Sequence, residues 1–335
     1  MSASHFKLEI YPHEFPTTIY DVAPEPSTTE CGMLFFIPGN PGLPAYYVPF
    51  LSKIRDSLPG WRIICVSQAG CDTISARNAP RSPDQTYFNL SQQIQHKFEI
   101  FTTLLRKYEY FSSSDQKKEV VVAGHSIGCW MLQHMLVQLA KQQVPAPISL
   151  VLLLFPTIKN IGQSDSGVVF NRILKYFPHI ADVASNLTYY ATKFLPDIAV
   201  SKAVNFAMQN PPEHAANATR SLFYSPSVVW QSVSLGAEEM KHVKEESEDM
   251  AEFFWKGLWS TLRRESSRSG NIVAYFADSD HWVGTHTRAE ILSTHSKREN
   301  VEFVISTADD NCKHAFCVRD SDVMAKHVLS WIKDL

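Results

Sequence analysis

Val120-Val121-Val122-Ala123-Gly124-His125-Ser126-Ile127-Gly128 places a serine between two glycines, where a β-branched run gives way to an amphipathic stretch. A G-x-S-x-G in that context predicts a hydroxyl held on a tight strand-to-helix turn, with glycines where a Cβ would collide with neighbouring backbone. At a helix N-terminus, Ser126 also meets the positive end that favours the negative charge of acyl transfer. A serine hydroxyl is a poor nucleophile near neutral pH until a base takes its proton, so an acid and then a histidine are expected further along. His314, in Asn311-Cys312-Lys313-His314-Ala315-Phe316, falls in a predicted loop between the last strand and the last helix. Among the 13 histidines, His281 is its rival; His125 points elsewhere on the elbow, His134 sits on the nucleophile helix and His327 lies inside the closing helix. For the acid, Asp280 follows a strand in Tyr275-Phe276-Ala277-Asp278-Ser279-Asp280-His281-Trp282-Val283, with Asp278 as competitor and Asp309 and Asp310 behind it. An oxyanion must be met by backbone N–H groups. Ile127 supplies one, and in Pro38-Gly39-Asn40-Pro41-Gly42 the other falls to Asn40, since Pro41 has no N–H to give.

The elements that must position these residues show in the periodicity. Met33–Ile37, Arg62–Val66, Glu119–Ala123 and Leu150–Phe155 read as buried strands alternating with helical stretches, the signature of a parallel sheet flanked by helices. Tyr47, Phe50, Leu51, Ile54 and Leu58 share one helical face, as do Ile127, Trp130, Met131, Met135 and Leu139. The alternation stops near Thr157 and resumes at Asn271–Phe276, followed by strand Val301–Ile305 and a closing helix bearing Met324, Val328, Trp331 and Leu335. The expected organisation is therefore a core of residues 1–157 and 271–335, interrupted by an inserted, mainly helical cap over 158–270. Within that insertion, residues 168–195 are rich in Val, Phe, Ile, Tyr and Leu, with only Arg172, Lys175, Asp182 and Lys193 charged. Its last part reads as one charged amphipathic helix, with Met240, Val243, Met250, Phe254, Gly257 and Leu258 opposite Glu238, Glu239, Glu245, Glu246, Glu248 and Asp249. Trp230, Trp255 and Trp259 are expected to line the cap, to sit at an interface or, as is commoner for tryptophan, to pack in the interior.

Composition removes several function classes. A chain of 335 residues buries roughly three quarters of its unfolded surface, so it needs no metal or disulfide to fold. Lys+Arg 31 against Asp+Glu 34 leaves a net charge of −3, too weak a field to bind nucleic acid or an acidic membrane by charge alone. Six cysteines without a CxxC pair indicate neither a zinc ribbon nor a disulfide framework, so no metal and no cofactor are expected. Met1 to Lys7 lacks a basic stretch followed by an apolar run, and no 18 consecutive residues are apolar. A location on the cytosolic side is expected, with any membrane contact monotopic. Residues 168–195 leave two readings open: a charge-poor element that embeds in a monolayer without crossing it, or a soluble cap helix packed on the site.

Ile37-Pro38-Gly39-Asn40-Pro41-Gly42 with Tyr46-Tyr47-Val48-Pro49-Phe50, Gly124-His125-Ser126-Ile127-Gly128, Leu152-Leu153-Leu154-Phe155-Pro156-Thr157 and Lys313-His314-Ala315-Phe316 together resemble the lipid droplet-associated hydrolase family of α/β-hydrolases. The resemblance covers nearly the whole chain and is weakest in the insertion. It implies an α/β-hydrolase fold with Ser126 as nucleophile, Asp280 as acid and His314 as base. One departure concerns the acid: the family's pattern resembles G-x-x-D-P-W, whereas this chain has Ala277-Asp278-Ser279-Asp280-His281-Trp282, which keeps Asp278 in play. The resemblance also implies contact of residues 168–195 with lipid droplets and the endoplasmic reticulum.

The expected activity is hydrolysis of neutral lipid esters, sterol or acylglycerol esters, through a Ser126 acyl-enzyme. No H-x-x-x-x-D signature follows any of the 13 histidines, so transacylation has no motif behind it. Two other functions compete: a droplet- or reticulum-surface organiser of lipid with weak or vestigial hydrolysis, and a soluble hydrolase of small polar esters.

Overall fold

The computed structural model describes residues 6–10, 16–74, 76–78, 80–82, 84–110, 118–257 and 271–335. Leu258, Trp259 and the end of the insertion lie outside the described residues.

Eight strands form one sheet: β1 (Phe6–Ile10), β2 (Pro16–Val22), β3 (Gly32–Ile37), β4 (Trp61–Val66), β5 (Glu119–His125), β6 (Ile148–Leu154), β7 (Asn271–Phe276) and β8 (Val301–Ile305). Their order is β1-β2-β4-β3-β5-β6-β7-β8, antiparallel at β1/β2 and β2/β4 and parallel from β4 to β8. The continuous apolar runs of β3, β5 and β6 follow from burial on both faces, the usual state of parallel strands. Antiparallel β1 and β2 carry no such run, and the sequence reading did not anticipate them.

The α-helices among the described residues are α1 (Val48–Ser57), α2 (Leu90–Lys107), α3 (Ile127–Lys141), α4 (Asp165–Tyr176), α5 (Ile180–Phe194), α6 (Asp197–Ala207), α7 (Glu213–Phe223), α8 (Pro226–His242), α9 (Thr285–His295), α10 (Phe316–Arg319) and α11 (Ser321–Lys333). Helices α2 and α3 pack together on one face of the sheet, and α1 and α11 on the other. Asn89 opens α2 with a capping box: its side chain accepts from the Gln92 N–H while the Gln92 side chain accepts from the Asn89 N–H.

Between β6 and β7 the regular elements among the described residues are helical: α4 to α8, a short 3₁₀ turn at Ile161–Gln163 and a π-helical turn at Met250–Phe254. The single amphipathic helix expected over 238–258 is not present. Helix α8 ends at His242, Val243 turns inward to 1% exposure, and the π turn follows separately. Three of the six acids assigned to its solvent face serve other ends: Glu246 accepts from Trp255 Nε1 and pairs with buried His295, and Glu238 and Glu239 are buried, whereas Glu245, beside Lys159, and Glu248 are exposed as expected. Trp230 and Trp255 are both buried, Trp230 beneath the Arg81 guanidinium at 4.5 Å.

Residues 168–195 form α4 and α5, and α5 faces the reverse of a usual surface helix. Val183, Leu187, Tyr190 and Phe194, at steps of four, three and four, all point to solvent, while Ser185 and Thr188 face inward. The Ser185 hydroxyl donates to the Pro226 carbonyl, and Arg81 bonds Asp182 at 2.8 Å. Val168, Val169 and Tyr176 on α4 and Ile198 and Phe206 on α6 extend the apolar surface, Phe206 being 87% exposed. No described helix is long and apolar enough to cross a membrane.

Candidate active site

The C-terminal ends of the parallel strands converge on one edge, where open α/β sheets place their ligands. β3 runs into Pro38–Gly42, β5 into Ser126, β7 into Asp280, and β8 into the loop that carries His314.

Ser126 has φ 54° and ψ −125°, a conformation L-residues rarely adopt, which turns its side chain out of the strand–helix path. The glycines make that turn possible. A Cβ on Gly124 would lie 2.7 Å from the Gly128 backbone, and one on Gly128 would collide with the Ile37 carbonyl oxygen. The Ser126 N–H donates to Leu154 O at 3.0 Å, tying the elbow to β6.

His314 bridges the other two candidates. The Ser126 hydroxyl lies 3.0 Å from its Nε2, and its Nδ1 donates to Asp280 Oδ2 at 2.7 Å. Asp280 Oδ1 accepts from the Trp282 and Val283 amides at 2.8 and 3.2 Å. Burial pushes the Asp280 carboxyl up, but the His314 hydrogen bond and charge and the two amides outweigh it and hold it below the usual carboxylate range. An ionised carboxylate on Nδ1 fixes the tautomer in which Nε2 accepts, so the imidazole is set to take the serine proton.

The rivals are not in this cluster. Asp278 is exposed, its carbonyl bonded by Arg288. Asp310 pairs with His327, and Asp309 is exposed. His281 is exposed, its ring centroid 6.4 Å from that of His314.

A second, buried chain of hydrogen bonds braces the first. The Gly39 N–H donates to Tyr47 Oη at 3.0 Å, and Tyr47 Oη lies 2.7 Å from His125 Nδ1. His125 Nε2 donates to the His314 carbonyl at 2.8 Å. Burial, with His314 nearby, lowers His125 to about 3, so it is neutral. With Nε2 donating to a carbonyl, Nδ1 must accept, and the tyrosine hydroxyl is its donor. The loop carrying Asn40 is thus connected to the loop carrying His314. Neither His125 nor Tyr47 is a candidate from the sequence, where their one signal is adjacency to Ser126 and to the Pro/Gly loop.

Ile127 follows the serine as the first residue of α3, where the helix itself leaves the N–H without a partner. Asn40 and Ser126 line one cavity of about 620 Å³, within the range of ligand pockets. Its walls are mostly apolar, with Tyr46, Phe170, Met208, Leu222, Met240 and Trp282 around the mouth of the site. The polar exceptions include Ser232 and Glu239 of α8. Burial pushes the Glu239 carboxyl up to about 7 against a lowering hydrogen bond from Asn40. Among the described residues, no group of three His, Cys, Asp or Glu side chains is placed to hold a metal ion, and all six cysteines are free thiols.

The mostly parallel eight-stranded sheet with an elbow after β5 defines an α/β-hydrolase. Solved structures share that fold. A laboratory-evolved potato epoxide hydrolase matches 98% of this chain and 99% of its own at 10% identity and TM-score 0.53. A carboxylesterase structure from the thaumarchaeon Nitrososphaera gargenis matches 98% and 97% at 11% identity and TM-score 0.56. Sequence takes the assignment further: the family model for lipid-droplet associated hydrolase matches residues 31–317, and the chain belongs to that family. Proteins named lipid droplet-associated hydrolase are similar to it along most of their length. The one from Gallus gallus is 25% identical over 312 residues, 90% of this chain and 85% of the relative. The Drosophila melanogaster protein is 25% identical over 316 residues (92% and 91%), and the Homo sapiens protein 26% over 318 (90% and 85%).

Proposed function

We propose that this hydrolase is a serine carboxylic-ester hydrolase acting on neutral lipid esters, sterol or acylglycerol esters, at the surface of lipid droplets and the endoplasmic reticulum. The observation that carries the reading is His314 between Ser126 at 3.0 Å and Asp280 at 2.7 Å. In this mechanism Ser126 Oγ attacks the ester carbonyl carbon while His314 Nε2 takes the hydroxyl proton. Asp280 stabilises the imidazolium, and the N–H groups of Asn40 and Ile127 meet the oxyanion. The C–O bond to the alcohol breaks, and the alcohol leaves with the proton from His314. Water, deprotonated by the same nitrogen, then releases the fatty acid and restores Ser126. Helices α4 to α8 act as a cap over the cavity, whose apolar walls suit an acyl chain. The outward stripe of α5, with its neighbours on α4 and α6, is the surface that enters the monolayer. The test is a panel of sterol, triacylglycerol, diacylglycerol and short-chain esters presented on oil emulsions. Ser126-dependent release of fatty acid from the neutral lipids supports the reading, and turnover confined to soluble short-chain esters refutes it.

The outward apolar stripe also favours a second reading, in which the chain organises lipid at the droplet surface and hydrolysis is secondary. There, Ser126→Ala restores the droplet phenotype of cells lacking the protein as fully as the wild type; failure to restore it eliminates this reading.

A further inference from the structure

Ser232, Gly236 and Glu239 stand four and three residues apart on α8 and therefore share one face of the helix. That face meets Asn40. The Asn40 side-chain amide donates to the Ser232 carbonyl and to Glu239 Oε1, both at 2.9 Å, so both of its hydrogens are committed to the cap. Gly236 lies between these contacts, and a Cβ there would come 3.1 Å from the Phe170 ring and 3.6 Å from the Asn40 amide nitrogen. The glycine, disfavoured within a helix, leaves room there for the Phe170 ring. The Ser232 hydroxyl adds a contact to the Pro41 carbonyl at 3.4 Å.

Glu239 is buried, lines the cavity and has no cation partner among the described residues, whereas its neighbour Glu238 faces Lys241 and His242. An uncompensated buried carboxyl is costly to keep, and the partner it does have is the side chain of the residue whose backbone N–H points to the oxyanion in the mechanism above. We propose that Glu239 is a positioning residue: through the Asn40 side chain it latches the cap helix to the oxyanion loop and sets the Asn40 N–H for catalysis. The proposal rests on the reading of Asn40 as an oxyanion donor. Its consequence is that the site is competent only with α8 seated, because a cap that lifts takes the Asn40 amide's two acceptors with it. A small displacement of such a donor is felt mainly in turnover rather than in binding.

The test measures kcat, KM and Tm with p-nitrophenyl butyrate for the full chain. Glu239→Leu removes the acceptor without leaving a buried charge, and it is expected to lower kcat about 10-fold with KM within about 2-fold. Glu239→Gln keeps a carbonyl for Asn40 and is expected to stay within about 3-fold of wild type. Asn40→Ala removes the Glu239 contact together with the Ser232 one, so it should lose at least as much kcat as Glu239→Leu, and the double variant should lose no more than Asn40→Ala alone. Wild-type kcat in folded Glu239→Leu, a loss confined to KM, a Gln variant as damaged as the Leu variant, or additive losses would each overturn the latch. Should Glu239→Leu fail to fold, Asn40→Ala and Glu239→Gln carry the same comparison. Ser126→Ala separates the two levels: wild-type turnover there overturns the site reading and the latch together, whereas failure of the latch arms alone leaves Ser126-dependent turnover standing.

Discussion

Around Ser126, Asp280 and His125 at the C-terminal edge of the sheet, polar side chains are buried and matched, whereas on α4 to α6 apolar side chains face solvent. Asp280 fills its two oxygens with an imidazole and two amides, and His125 and Tyr47 complete one another inside the core. Leu187 and Phe194 on α5, at 67% and 72% exposure, have no such cover. Burying polar groups costs free energy unless they are paired, and exposing apolar ones forgoes a stabilisation of about 1.5–3 kcal/mol for each large side chain. The first region is therefore built for precise hydrogen-bond geometry, and the second for contact with something apolar. On the function proposed above one region carries chemistry and the other an address, and variants should then affect them independently.

The largest effects belong to the first region. His314→Ala should lower kcat for a soluble ester by about 10⁴-fold or more and Asp280→Asn by about 10³–10⁴-fold, while Asp278→Asn stays within about 2-fold. Steady-state kinetics on folded variants would check this, and a large loss in Asp278→Asn with an active Asp280→Asn would reverse the assignment of the acid. Next comes the second region. Leu187→Ser, Phe194→Ser and Phe206→Ser combined should weaken partition to phospholipid-coated triolein droplets by at least about 10-fold, measured by flotation, with turnover of the soluble ester unchanged. Equal flotation of this variant and the wild type would break the comparison.

Smaller effects test how the elbow is built. Gly128→Ala must move Ile37 or α3, which should cost about 1–3 kcal/mol in a urea melt. His125 makes stability depend on pH. Its folded pKa of about 3 lies below the ordinary histidine value of about 6.5, so the unfolded chain binds the extra proton between those limits. The contribution is full above about pH 6.5 and is lost, by about 1.4 kcal/mol per pH unit, as the pH falls toward the folded value. Melts at pH 7 and pH 5 should show a shallower pH slope for His125→Asn than for wild type, and identical slopes would exclude His125 as the source.

Most of the sheet was legible because a parallel strand buried on both faces leaves a continuous apolar run. β7 and β8 begin and end where the sequence places them, and β3 to β6 within two residues. β1 and β2 were missed because an antiparallel edge needs no such run, and β2 opens on a proline. Ser126, Asp280 and His314 were singled out because each follows the end of a predicted strand, where the chain must turn. What could not be read was pairing across the chain. Glu239 looked like one more acid on the wet side of a helix, and nothing local says that its partner is Asn40, 199 residues away. The charged run after it misled in part for the same reason: Glu246 is the partner of Trp255 and His295, while Glu245 and Glu248 do face water. The outward stripe of α5 was visible as an apolar segment, but only packing tells which face is turned out.

The central claim is that Ser126 is a nucleophile activated by His314 and Asp280. Intact-mass analysis after incubation with a fluorophosphonate tests it most directly. The account predicts a single stoichiometric adduct on Ser126 in the wild type, no adduct in Ser126→Ala, and strongly slowed labelling in His314→Ala. A stoichiometric adduct that persists in folded Ser126→Ala, or wild-type protein that stays unlabelled while turning over esters, would contradict it.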